Sequence, residues 1–127
     1  MILHFLIVGL GGAIGAMARH GINMASLKGM GSDFPYGTLT VNIIGSLLIG
    51  IFAGCFAHFS QWTQEMRLFL VVGVLGGFTT FSSFSLDSIL LLEKGSYLPA
   101  TFYIATSFAL SLGGTLAGLW LIRQVTL

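Results

Sequence analysis

The chain has 127 residues, of which 55% are hydrophobic and only 7% are charged, and its mean hydropathy is +0.96. A soluble domain carries roughly 25% charged residues on average, so this chain has too few charges to cover the surface of a water-soluble enzyme. The net charge of +1 offers no basic surface for nucleic acid, and the single cysteine, Cys55, excludes a disulfide framework and a cysteine metal cluster. The composition indicates an integral membrane protein.

Four apolar segments are long enough to cross a bilayer, which takes about 20 mostly apolar residues. They cover residues 2–25, 37–58, 66–92 and 98–122, and short polar loops separate them. No segment shows the alternation of a β-barrel strand, and no Lys or Arg precedes the first segment, as a signal peptide would require. We therefore predict one integral membrane domain, residues 1–127, with an all-α fold of four transmembrane helices.

The positive charges are distributed almost evenly between the two predicted sides of the membrane. Arg67 and Arg123 lie on the side of the N-terminus. Arg19, Lys28 and Lys94 lie on the other side. Because an excess of Lys and Arg on one side sets the orientation of a membrane protein, this chain carries almost no orientation signal. One interpretation is insertion in both orientations, which permits an antiparallel homodimer; the other is a fixed topology set by weak cues or by another protein.

Two of the predicted spans carry polar side chains at intervals of four residues, which places each set on one face of its helix. The set in span two is Thr38, Asn42 and Ser46, and the set in span four is Tyr103, Ser107, Ser111 and Thr115. Lipid offers these groups no hydrogen-bond partner. The two polar stripes therefore indicate either a path for a small solute or ion, or hydrogen bonding between helices.

Span three contains a segment that is poorly suited to a continuous helix, because paired glycines precede β-branched and hydroxyl residues. Broken helices are tolerated at membrane depth where they line a cavity or bind ions. We predict a break just after Gly76 and Gly77, with a merely kinked helix as the alternative. Phe81 and Phe84 follow closely, and their electropositive ring edges would attract a small anion if they faced a pore.

Three motifs in this chain resemble those of one family. Residues 76–85 read GGFTTFSSFS, which closely resembles the GG-x-[ST]-T-F-S-[ST]-F-S signature of the CrcB/Fluc fluoride channels. Residues 11–19, GGAIGAMAR, resemble that family's GG-x-x-GA-x-x-R motif, and residues 37–45, GTLTVNIIG, resemble its GTL-x-VN-x-x-G motif. The resemblance covers essentially the whole chain, and the shared order of the motifs makes it specific.

The resemblance implies a fluoride-selective channel, not an enzyme, that exports fluoride passively across the inner membrane of a prokaryote. It also implies an antiparallel, dual-topology homodimer with two pores and a structural Na⁺ at the dimer centre, held by the backbone carbonyls of Gly76 and Thr79. Arg19 is expected at the vestibule. The residues expected along the fluoride pathway are Thr38, Asn42, Phe81, Ser82, Ser83, Phe84, Tyr103, Ser107, Ser111 and Thr115. One departure is Asp87, where members of the family commonly carry Glu.

The chemistry of these residues suits a small, strongly hydrated anion. Asn42 offers an amide N–H₂ group and the Ser, Thr and Tyr side chains offer O–H groups that would replace water around fluoride. Two other functions stay open. A small dual-topology, proton-coupled exporter would need a titratable carboxylate near the bilayer centre, whereas Asp87 lies near the end of span three. A non-transporting assembly subunit would use the polar stripes only to join helices.

Overall fold

The computed structural model describes residues 1–126, and the four predicted transmembrane helices are confirmed. The helical segments long and apolar enough to cross a membrane are Ile2–Met30, Tyr36–His58, Gln64–Glu93 and Tyr97–Thr126. No strand occurs within the described residues. The first and last segments contain 29 and 30 residues, more than the roughly 20 that a hydrocarbon core of about 30 Å requires. The chain is therefore a multi-pass membrane protein whose longest helices exceed the length that a perpendicular crossing needs.

Two tight turns join span one to span two and span three to span four. Helix α1, Ile2–Met30, ends at Gly31, and span three ends just before Gly95; each glycine has a φ of 78°. Backbone in this left-handed region strains any residue with a Cβ, so glycine is the residue that ends a helix there. These turns return the chain at once into helix α2, Tyr36–His58, and into helix α6, Tyr97–Thr126.

Span three is a composite of four helical pieces, and the predicted break is present. It begins with helix α3, Gln64–Arg67, and continues as a π-helix, Leu68–Leu75, and the short helix α4, Gly76–Phe78. Thr79 and Thr80 are extended, with φ/ψ of −87°/158° and −155°/111°. Helix α5, Phe81–Glu93, then begins under a cap in which Thr80 Oγ1 accepts a hydrogen bond from the Ser83 N–H. We call residues 76–80, which include these two extended residues, the break.

Two close helix contacts hold the bundle together. Helix α1 packs against the π-helix so tightly that a Cβ at Gly15 would collide with the carbonyl oxygen of Val74. Helix α2 packs against α6 in the same way, because a Cβ at Gly50 would collide with the carbonyl oxygen of Thr115. Without a hydrophobic driving force in lipid, small residues that let backbones approach are what stabilises such contacts.

The buried core is small and lies mainly between α5 and α6. Its cluster consists of Phe84, Leu91, Ala100 and Tyr103, with Phe34 packed against it from the loop before α2. Most other large apolar side chains are exposed on the outer faces of the helices. In a membrane these faces contact lipid and need not be buried inside the protein. The small size of the core therefore reflects the surrounding lipid and not poor packing.

Candidate functional site

A half-open cavity of about 410 Å³ lies between α2, span three around the break, and α6; we call it the central cavity. The two polar stripes meet here because α2 and α6 pack side by side. The predicted pathway residues that line it are Asn42, Phe81, Phe84, Ser107 and Ser111. Gly76, Thr79 and Thr80 add the backbone of the break to the same wall. None of the residues lining it within the described chain is charged.

Ser107 supplies a hydroxyl group that is buried without a partner. The residue is only 6% exposed, and its Oγ makes no hydrogen bond within residues 1–126. A buried hydroxyl that forms no hydrogen bond costs free energy, so native structures satisfy nearly all of them. Because Ser107 lines the central cavity, its hydroxyl is free to bind a ligand there.

Three phenylalanines form the aromatic wall of the central cavity. Phe84 is buried, at 8% exposure, and its ring centroid lies 5.4 Å from that of Phe81 and 5.6 Å from that of Phe108. The Phe84 and Phe108 rings meet edge to face at 88°. Phe81 is 70% exposed and forms the open rim. From the sequence, Phe108 is expected to lie off the pathway, because its position next to Ser107 is no different from that of Phe102 next to Tyr103; the structure places it in the lining of the central cavity.

A second cavity of about 390 Å³ lies at one end of the bundle, under the loop between α1 and α2; we call it the end cavity. Thr38 and Ser83 from the predicted pathway line it together with Asp87, and Lys94 is its one basic side chain among the described residues. Tyr103 points its hydroxyl towards this region and donates a hydrogen bond to Asp87 Oδ2 at 3.2 Å.

The two cavities meet at one hydrogen bond. Thr80, which lines the central cavity, donates from Oγ1 to the Oγ of Ser83, which lines the end cavity, at 3.1 Å. Ser82 is exposed and lines neither cavity, although its Oγ lies 3.2 Å from Thr80 Oγ1. A chain of hydroxyl groups therefore connects the end of the bundle to its middle.

Two members of the span-four stripe, Tyr103 and Thr115, line neither cavity, and Thr115 bonds only to backbone. Its Oγ1 donates to the carbonyl oxygens of Ser46 at 3.0 Å and of Ser111 at 3.3 Å. The first bond joins α6 to α2 across the close contact at Gly50. At this position the hydroxyl group serves helix packing.

The backbone at the break is held by side chains from two other helices. Arg19 of α1 does not line the end cavity; its Nε donates to the carbonyl oxygen of Gly77 at 3.0 Å. Asn42 of α2 contacts both polar groups of Thr80: its Nδ2 donates to the carbonyl oxygen at 3.1 Å, and its Oδ1 accepts from the N–H at 2.8 Å. The carbonyl of Leu75 accepts from both N–H and Oγ1 of Thr79.

Side chains do not bond to every carbonyl at the break. Within the described chain, no side chain donates to the carbonyls of Gly76 and Thr79, whereas those of Leu75, Gly77 and Thr80 each accept a side-chain hydrogen bond. Unwound backbone carbonyls at membrane depth are the groups that coordinate Na⁺ in transporters. The two carbonyls named for Na⁺ from the family resemblance thus fit a cation, while residues 1–126 contain no cluster of His, Cys, Asp and Glu side chains for a metal.

Comparison with known proteins identifies the family. Residues 6–119 match the family described as CrcB-like protein, Camphor Resistance (CrcB). The chain belongs to the CrcB family. It is 50% identical over 122 residues to a protein of Rhodopseudomonas palustris named fluoride-specific ion channel FluC, which covers 96% of this chain and 98% of the relative. A Rhodospirillum centenum protein of the same name is 52% identical over 118 residues, covering 93% of this chain and 94% of the relative.

Proposed function

We propose that this CrcB chain is a channel, not an enzyme, that conducts fluoride passively out of the cytoplasm across the inner membrane of a prokaryote. Its relatives over nearly the whole chain are named fluoride-specific channels. The observation that carries the proposal is an uncharged cavity in the middle of the bundle with an unpartnered, buried Ser107 hydroxyl. A fixed positive charge there would hold an anion tightly, and conduction needs binding weak enough for the ion to leave.

The fluoride pathway runs from the end cavity to the central cavity along the hydroxyl groups of Ser83, Thr80 and Ser107. Each hydroxyl can turn its proton towards an anion, replacing one of the water molecules that hydrate fluoride. The electropositive edges of Phe81 and Phe84 act on the same ion from the other wall of the central cavity. Hydroxyl groups and ring edges together supply many weak contacts in place of one strong one.

We further propose that the channel is an antiparallel homodimer. The central cavity is half-open and Phe81 lies exposed at its rim, so a second copy would close the cavity. The near-even distribution of Lys and Arg supports insertion in both orientations. Reporter domains fused to the C-terminus are expected to be active on both sides of the membrane. Activity on one side only would contradict the antiparallel arrangement.

A structural Na⁺ at the centre of this dimer is the third part of the proposal. The carbonyls of Gly76 and Thr79 would hold it, since no side chain of the described chain donates a hydrogen bond to them. A bound cation would neutralise the partial negative charge of these oxygens and fix the conformation of the break. The rest of the mechanism depends on side chains of the two cavities.

The test is fluoride efflux from liposomes that contain the purified protein, recorded with a fluoride electrode. We expect fluoride efflux down its gradient, no chloride efflux in matched vesicles, and no dependence on a proton gradient. Efflux that requires a proton gradient would identify a coupled exporter, for which Asp87 in the end cavity is the available carboxylate. Absence of flux from folded protein would favour the assembly subunit.

A further inference from the structure

We infer that Arg19 and Asn42 are positioning residues that clamp the break in span three from both sides. The clamp consists of three hydrogen bonds: Arg19 Nε to the Gly77 carbonyl, and the two bonds between the Asn42 amide and the Thr80 peptide. Arg19 comes from α1 and Asn42 from α2, so the helices that pack on span three also set the conformation of its break.

The break needs such a clamp because two extended residues interrupt the helical hydrogen bonds. Backbone N–H and C=O groups freed at membrane depth must find other partners, since lipid provides none. An Asn side chain has a donor and an acceptor at the spacing of a peptide group, so Asn42 bonds to Thr80 as a neighbouring β-strand would. A Ser, Thr or Ala side chain at position 42 has no such pair of groups.

The clamp limits what Asn42 can offer to an ion. Its Oδ1 and one N–H are committed to Thr80, which leaves a single N–H for the central cavity. Asn42 therefore acts mainly through the backbone it holds, and not as a free amide donor. The Nε of Arg19 is likewise committed, because it donates its hydrogen bond to a backbone carbonyl.

The clamp also decides which carbonyls remain free. By occupying the carbonyls of Gly77 and Thr80, it leaves those of Gly76 and Thr79 without a side-chain donor within the described chain. It holds Thr80 extended, and Phe81 follows as the first residue of α5. Loosening the clamp is expected to disturb both the carbonyl pair and the position of the Phe81 ring.

Hydrogen–deuterium exchange mass spectrometry tests the clamp directly, with fragmentation that resolves the Thr80 amide. In Asn42→Ala, this amide loses its acceptor, and we expect it to exchange at least about tenfold faster than in the unmodified protein, the effect of losing one hydrogen bond. Asn42→Asp keeps an oxygen acceptor for the Thr80 N–H and is expected to lie between the two. If the Ala variant does not fold, exchange of the Thr80 amide in Asn42→Asp tests the clamp in its place.

The second readout rests on the proposed function, because it measures how fluoride flux depends on Na⁺. Asn42→Ala is expected to raise the Na⁺ concentration for half-maximal flux at least about fivefold, as well as lowering the maximum. Arg19→Met is expected to do the same, and Arg19→Lys, which keeps a donor, to restore part of the Na⁺ response. A loss of maximal flux with an unchanged Na⁺ response would overturn the positioning role.

Ser107→Ala is the matched control, since Ser107 lines the central cavity but forms no hydrogen bond with the break. It is expected to lower flux with no change in Thr80 exchange or in the Na⁺ response. Exchange of Thr80 in Asn42→Ala at the unmodified rate would refute the clamp, whatever the protein conducts. Fast exchange in a protein without fluoride flux would support the clamp and reject the proposed function instead.

Discussion

Between Ser107 and Thr115, the polar stripe on α6 differs at its two ends in what faces it across the contact with α2. At Ser107 the helices leave space, and the hydroxyl group lies buried in the central cavity without a partner. Two turns further on, Gly50 brings α2 so close that the Thr115 hydroxyl bonds directly to the Ser46 carbonyl. Polar groups of the same spacing and similar chemistry are thus left without a partner in a cavity at one end and used for helix packing at the other.

The largest effect is expected at the packed end, from Gly50→Val. The new side chain has no space next to the Thr115 carbonyl, and overpacking costs about 1–3 kcal/mol or more. We expect a much lower melting temperature and aggregation of the purified protein in size-exclusion chromatography. Gly113→Ala is the control, because a Cβ at Gly113 meets no atom within 4 Å; a melting temperature for Gly50→Val equal to that of the control would contradict the close contact.

The next largest effect is expected from Ser107→Ala at the open end. A hydrogen bond to a charged partner contributes about 1.5–3 kcal/mol, so loss of this hydroxyl is expected to slow fluoride efflux at least about tenfold. Because the hydroxyl has no partner within the described chain, its removal is not expected to lower the melting temperature. Efflux at the unmodified rate would remove Ser107 from the pathway.

The aromatic wall is tested by Phe81→Leu and Phe84→Leu. Substitutions between apolar side chains of similar size cost less than about 1.5 kcal/mol, so the fold is expected to persist while the loss of electropositive ring edges lowers flux about tenfold. Phe102→Leu is the matched control because Phe102 lies on α6 but lines neither cavity. Phe108 cannot serve as the control, since it lines the central cavity beside Phe84. Unchanged flux in both variants would leave conduction to the hydroxyl groups alone.

The smallest effect is expected from Thr115→Val. This variant removes the bond to the Ser46 carbonyl, and one neutral hydrogen bond contributes about 0.5–1.5 kcal/mol. We expect a melting temperature lower by a few degrees and a far smaller loss of flux than in Ser107→Ala. A loss of flux as large as that of Ser107→Ala would show that the stripe works as one unit, and would remove the distinction between its two ends.

Much of the fold could be predicted from the sequence because its signals are local. Apolar length predicted four spans, and the residues around Gly76 and Gly77 predicted the interruption of the third, since helix propensity depends on the residues themselves. The extended residues come slightly later than the glycines, at Thr79 and Thr80, because the Thr80 side chain caps α5 there. Helix α1 continues to Met30, past the expected residue 25, until Gly31 ends it.

The roles of the polar residues depended on the tertiary structure. The four-residue spacing placed Ser107 and Thr115 on one face of α6, but the sequence does not say how closely α2 approaches each of them. Only the packing of the helices shows that the Ser107 hydroxyl lies without a partner in a cavity and that the Thr115 hydroxyl bonds to the Ser46 carbonyl. Only they bring Arg19 and Asn42 to the same break, 58 and 38 residues away in the chain. A polar group in lipid must find a partner, and which partner it finds is decided by the helix that lies opposite.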